Sequence, residues 1–138
     1  MTFQSRKEKF VPKQVIQTDT ASPPLGAYSQ GWRAGDLIFV TGCGPIDPSG
    51  SVKGATIEEQ TDVVIDNLEE ILRAGGATLA DVVKTSVHLL DTSEFPRFNE
   101  VYARRFAEPR PARTTVGTDL QQVPGMRVEI EATAYVGQ

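Results

Sequence analysis

The run TIEEQTDVVIDNLEEILRAGG, Thr56 to Gly76, constrains this chain more than any other stretch. Thr56 followed by Glu59 is a capping box: each side chain bonds the other's backbone N–H and satisfies a donor that a helix start leaves open. Ile57, Val64, Leu68, Ile71 and Leu72 then recur at helical spacing and fall on one face. Gly75 and Gly76 supply a left-handed stop. The spacing predicts a helix over 57–74. A helix with one apolar stripe must lay it on another element, and the rest of the chain offers mainly strands.

Those strands alternate. In RVEIEATAYV, Val128, Ile130, Ala132 and Ala134 point one way, toward the helices, while Glu129, Glu131, Thr133 and Tyr135 point the other. AGD at 34–36 reads as a turn between YSQGWR and LIFVTGCG, predicting a hairpin, and DPSG at 47–50 is another turn. VVKTSVHLL reads as a buried strand. Asp91 or Thr92 caps a second helix that runs to about Phe106, with Pro96 in its first turn. Phe95, Phe98, Val101, Tyr102 and Phe106 give that helix a broad apolar face. RTTVGTDL and RVEIEATAYV are strands joined through QQVPGM. Residues 1–27 are polar and proline-bearing, with KQVIQ as a short strand-like run, so residues 1–20 form an N-terminal arm or an edge strand. The order β-β-α-β-α-β-β predicts an α+β sandwich, a single domain over 1–138 with both helices packed on one face of a mixed sheet.

At 138 residues the chain buries roughly 68% of its unfolded surface, enough for a proper core. A net charge of -4, with no basic stripe, argues against a general phosphate-backbone binder. One cysteine and one histidine rule out an intrachain disulfide and argue against a zinc site of thiolates or imidazoles. No apolar run has the length of a signal-peptide core or a membrane span, so a cytoplasmic protein is expected.

The stretch EPRPARTTVGT, Glu108 to Thr118, raises the question of chemistry. Arg113, Thr115 and Gly117 share a strand face. If the last two strands are neighbours, Arg113 lies close to Glu129 or Glu131 across the sheet. That polar face is either solvated or packed against another subunit, with pockets at the seam. Thr41 falls on the face of Leu37, Phe39 and Cys43, opposite Ile38, Val40 and Gly42. Cys43 itself reads as a small core residue, His88 as a hydrogen-bonded structural histidine, and Arg110 as a solvent-facing residue. GCGPID leads into a turn and is no dinucleotide fingerprint, and no Gly-x-Ser-x-Gly elbow occurs.

Several segments resemble the Rid family, also called the YjgF or L-PSP family. They are PPLGAYSQGWRAGDLIFVTG, GSVKGATIEEQTDVVIDNLEEILRAGG with its Gln and Asn-Leu positions, DVVKTSVHLLDTSEFPRFNEVYARRF, PARTTV and VEIEATAY. The resemblance covers nearly the whole chain from about Pro24. It implies a chorismate-mutase-like fold, a homotrimer with sites in the clefts between subunits, and deamination of imines and enamines without metal or organic cofactor. By matching positions it implies Arg113 as the carboxylate clamp and Tyr28 and Thr41 as pocket residues. Glu129 becomes the residue that positions water, and Thr115 acts through its backbone. Asn99 matches a structural asparagine. The chain departs from the family pattern at Thr115, where cysteine is frequent, at Cys43, where glutamine is frequent, and at Ala27, where proline is usual. The alternatives are a non-catalytic trimer that senses small carboxylates such as 2-oxo acids, and a ribonuclease, which the acidic charge disfavours.

Overall fold

A computed structural model describes residues 12–137 of the chain. The strands are β1 (Gln14–Ile16), β2 (Gly31–Ala34), β3 (Leu37–Cys43), β4 (Val82–Leu89), β5 (Ala112–Gly117) and β6 (Val128–Tyr135). Helix α1 (Ile57–Ala74) lies between β3 and β4, and α2 (Phe95–Arg105) between β4 and β5. All strands join one sheet in the order β1-β2-β3-β6-β4-β5. β4 and β5 run parallel, and the other pairs are antiparallel.

The capping box forms as the sequence requires: Thr56 Oγ1 accepts from the Glu59 N–H at 3.1 Å, and Glu59 Oε1 accepts from the Thr56 N–H at 3.1 Å. Ile57, Val64, Leu68, Ile71 and Leu72 are all buried, together with Ile65. They meet Ile38, Val40, Val87, Ile130, Ala132 and Ala134 on the covered face of the sheet. Each large aliphatic side chain so buried contributes about 1.5–3 kcal/mol. At the far end Gly76 adopts a φ of +90°, which turns the chain out of the helix.

The second helix starts later than its cap suggests. Asp91 does accept from the Ser93 N–H, but it caps a single 3-10 turn, Thr92–Glu94, and α2 begins at Phe95. Phe98, Val101, Tyr102 and Phe106 bury the aromatic face. Arg105 ties α2 to α1 through Asp62 at 2.9 Å and Asp66 at 2.8 Å.

One expectation is corrected here, and the edge strand expected near the N-terminus is present. The last two strands are not neighbours: the strand–helix–strand connection through α2 returns β5 parallel to β4, and the free side of β4 pairs with β6. β4 therefore separates β5 from β6. The run KQVIQ forms β1, an edge strand on β2, while the remainder of the expected arm, residues 1–11, lies outside the described residues. The sheet face away from the helices carries Trp32, Leu37, Phe39, Val116 and Tyr135, each exposed by between 38% and 46%.

Candidate active site

Simple alternation fails in β3, and the failure shapes the site. Val40 pairs with Ala132 but Cys43 pairs with Ile130, so β3 carries one extra residue there. This bulge turns Cys43 into the core beside Ile38 and Val40, instead of onto the outer face with Leu37, Phe39 and Thr41. Burial, reinforced by the charge of Glu129, pushes the Cys43 thiol well above its ordinary range. It therefore stays protonated and is no nucleophile.

The bulge opens onto a cleft of about 370 Å³ whose lining includes Tyr28, Thr41, Gly42, Cys43, Met126 and Glu129. Tyr28 stands in the loop before β2 rather than in a strand, and its hydroxyl accepts from the Leu25 N–H at 3.0 Å. Thr41 is held by its own N–H, which donates to the Gln30 carbonyl at 2.9 Å. Glu129 enters from β6, on the outer face, against the bare backbone of Gly42.

Three buried amides hold the cleft's loops, and the chemistry-led reading of the sequence passes over them. Asn67 Nδ2 donates to the carbonyls of Gly44 and Ile46, and its Oδ1 accepts from the Ser22 N–H. Gln60 Nε2 donates to the carbonyls of Gly54 and Gly125, and its Oε1 accepts from the Arg127 N–H. Gln30 Nε2 donates to the carbonyls of Thr18 and Ser22. The signal was present in α1: Gln60 and Asn67 sit at helical spacing within the stripe of Val64 and Ile71. Amides in a buried stripe must bond something.

Arg113 and Thr115 are not in this cleft. Their register partners are Thr85 and Val87 on β4, and those pair with Ala132 and Ile130, all on the helix-covered side. Glu129 and Glu131 point to the opposite side, so the expected approach of Arg113 to either carboxylate does not occur within the chain. Instead Arg113 donates to Asn99 Oδ1 at 2.9 Å, and its guanidinium carbon sits 4.7 Å from the ring centre of Tyr102 and 5.4 Å from that of Phe95. Tyr102 is fixed by a 2.7 Å hydrogen bond with Thr85. An aromatic floor and one amide thus orient the guanidinium plane at the sheet's edge.

Arg110 is exposed, as expected, and it also donates to the carbonyls of Phe106 and Ala103, closing the C-terminus of α2. One smaller expectation changes. His88 is expected to be hydrogen-bonded, but among the described residues its buried Nδ1 has no partner, and it lies 3.8 Å from Glu129 Oε1. Among the described residues, no helix is long and apolar enough to cross a membrane.

Comparison with known proteins matches residues 18–136 to the family model described as Endoribonuclease L-PSP. The chain is 43% identical over 125 residues to the RutC family protein PH0854 of Pyrococcus horikoshii, covering 89% of this chain and 98% of that one. It is 40% identical over 126 residues to the chloroplastic Reactive Intermediate Deaminase A of Arabidopsis thaliana, covering 90% of this chain and 66% of that one. Among solved structures, RidA from the Antarctic bacterium Psychrobacter sp. PAMC 21119 superposes with a TM-score of 0.84 at 37% identity, over 89% of this chain and 99% of that one.

Proposed function

This chain belongs to the Rid family, the family of the L-PSP model, and from that premise we propose that it hydrolyses reactive imines and enamines of 2-amino acids to 2-oxo acids and ammonia. One observation carries the reading. A carboxylate, Glu129, stands in a cleft with two hydroxyls, Tyr28 and Thr41, while an oriented guanidinium, Arg113, waits on an edge strand of the same fold. In this reading three copies pack their exposed sheet faces together, and the β5 edge of one protomer closes the cleft of its neighbour. The apolar side chains left open on that face, Trp32, Phe39 and Tyr135 among them, favour such burial. The deaminase name of the Arabidopsis relative supports the reaction class.

The chemistry needs positioning more than force. An enamine such as 2-aminoacrylate takes a proton at its terminal carbon and becomes the iminium form of the imine. Arg113 binds the carboxylate through two parallel N–H donors and fixes the substrate plane. Water held by Glu129 then adds to the imine carbon, giving up a proton to the carboxylate as the C–O bond forms. The proton passes from Glu129 to nitrogen; the C–N bond then breaks as the hydroxyl gives its remaining proton to solvent and closes to C=O, releasing ammonia and the 2-oxo acid. The backbone of Thr115 completes the clamp side and Tyr28 and Thr41 the opposite wall. No cofactor enters this scheme.

The test generates 2-aminoacrylate and related imines in situ and follows release of the 2-oxo acid. Release no faster than in buffer across several imines would falsify the deaminase reading. Carboxylate binding without turnover would then leave the sensor, and RNA cleavage lost in Glu129→Gln would favour a nuclease. Light scattering that finds only single chains would remove the site between protomers.

A further inference from the structure

We propose that His88 is a positioning residue for Glu129, its Nδ1–H donating to Oε1 and holding the carboxylate toward the cleft. This rests on the role given to Glu129 above. The starting point is Nδ1, unpaired among the described residues: that atom is sealed from solvent although 32% of the side chain is exposed. A buried polar atom without a partner is costly, and native folds rarely tolerate one without a reason.

Geometry supplies one acceptor. Glu129 Oε1 lies 3.8 Å away, and His88 is the one basic side chain within ion-pairing distance of it among the described residues. The pair is fixed by the sheet, because His88 and Glu129 are direct partners in the β4–β6 register. A one-residue slip would separate them only by turning Val87 and Leu89 out of the core, so the register is pinned. Gly42 bounds Glu129 on the β3 side, leaving the imidazole as its neighbour on β4.

Four of the polar groups around the pair are otherwise engaged or wrongly placed. Lys84, on the same face of β4, donates to Thr114 Oγ1 at 3.0 Å. Glu131, two residues along β6, is a further acceptor and cannot donate when ionised. The Cys43 thiol is buried beneath the sheet, and the Tyr28 hydroxyl is bonded to Leu25. Hydrogen bonds at catalytic groups are often long in unliganded proteins and tighten around substrate. Closing from 3.8 Å to about 2.8 Å makes this a charge-assisted bond, roughly twice as strong as a neutral one. The imidazole then takes the tautomer with its proton on Nδ1.

The chain's single histidine makes the test clean, since nitrogen-15 spectra of the imidazole hold one pair of ring signals. The expected spectrum shows the Nδ1-protonated tautomer in the wild type and loss of that preference in Glu129→Ala. In the imine assay His88→Leu lowers kcat about tenfold with KM within about twofold. His88→Asn, whose amide nitrogen lies near the Nδ1 position, restores most of the rate. A spectrum indifferent to Glu129→Ala, or His88→Leu turning over like wild type, overturns the proposal. A wild type that hydrolyses no imine removes the deaminase reading instead, and the spectrum alone then upholds or rejects the pairing.

Discussion

Gly42 vacates the space that the Glu129 carboxylate occupies: a Cβ at residue 42 would stand 2.7 Å from Oε1 and 2.9 Å from Cδ. The atoms it would strike end a side chain that can swing away. Gly42→Ala is therefore expected to fold with a melting temperature within a few degrees of wild type. Imine hydrolysis should nevertheless fall at least about tenfold, because the carboxylate is displaced from the water it holds. Equal loss of stability and rate, read by calorimetry beside the assay, would contradict this.

Arg113 offers a second division. Lysine keeps the charge but loses the planar fork and the fit over Tyr102 and Phe95. Arg113→Lys should raise KM for imine carboxylates about tenfold or more and leave the fold intact. An unchanged KM would assign the clamp elsewhere.

Asn67 is a stability test with a local reach. Its amide satisfies three backbone groups, on Ser22, Gly44 and Ile46, around the mouth of the cleft. Asn67→Ala leaves them bare and opens a void, with an expected cost of about 2–4 kcal/mol in urea unfolding. Hydrogen exchange should rise first at Ser22, whose N–H loses its acceptor. Uniform exchange throughout the chain would deny the local role.

The sequence shows the helices well because their signals are local. Thr56, Glu59 and the stripe from Ile57 to Leu72 suffice to define α1, and the alternation from Val128 to Tyr135 correctly divides β6 between core and outer face. What it hides is non-local. Period-two counting along Leu37 to Cys43 has no means of knowing that β6 skips a partner after Val40, so Cys43 comes out on the wrong side. Likewise β5 and β6 follow one another in the chain, yet the α2 crossover gives β5 to β4. Family resemblance points to Tyr28 and Thr41, strand alternation already to Glu129, and the fold gathers all three into one cleft. Arg113 stands out in the sequence itself, on the strand that EPRPARTTVGT runs into, but its separation from Glu129 depends on strand order, which no local pattern encodes.

That separation has a genetic consequence. If each site draws its guanidinium from one chain and its carboxylate from another, a chain lacking either group alone is still a useful companion. Arg113→Ala and Glu129→Gln proteins, each inactive by itself, should recover activity when unfolded together and reassembled. With random mixing of equal amounts, about one quarter of the interfaces receive both intact groups. Two damaged alleles of the same gene would then rescue one another in a cell.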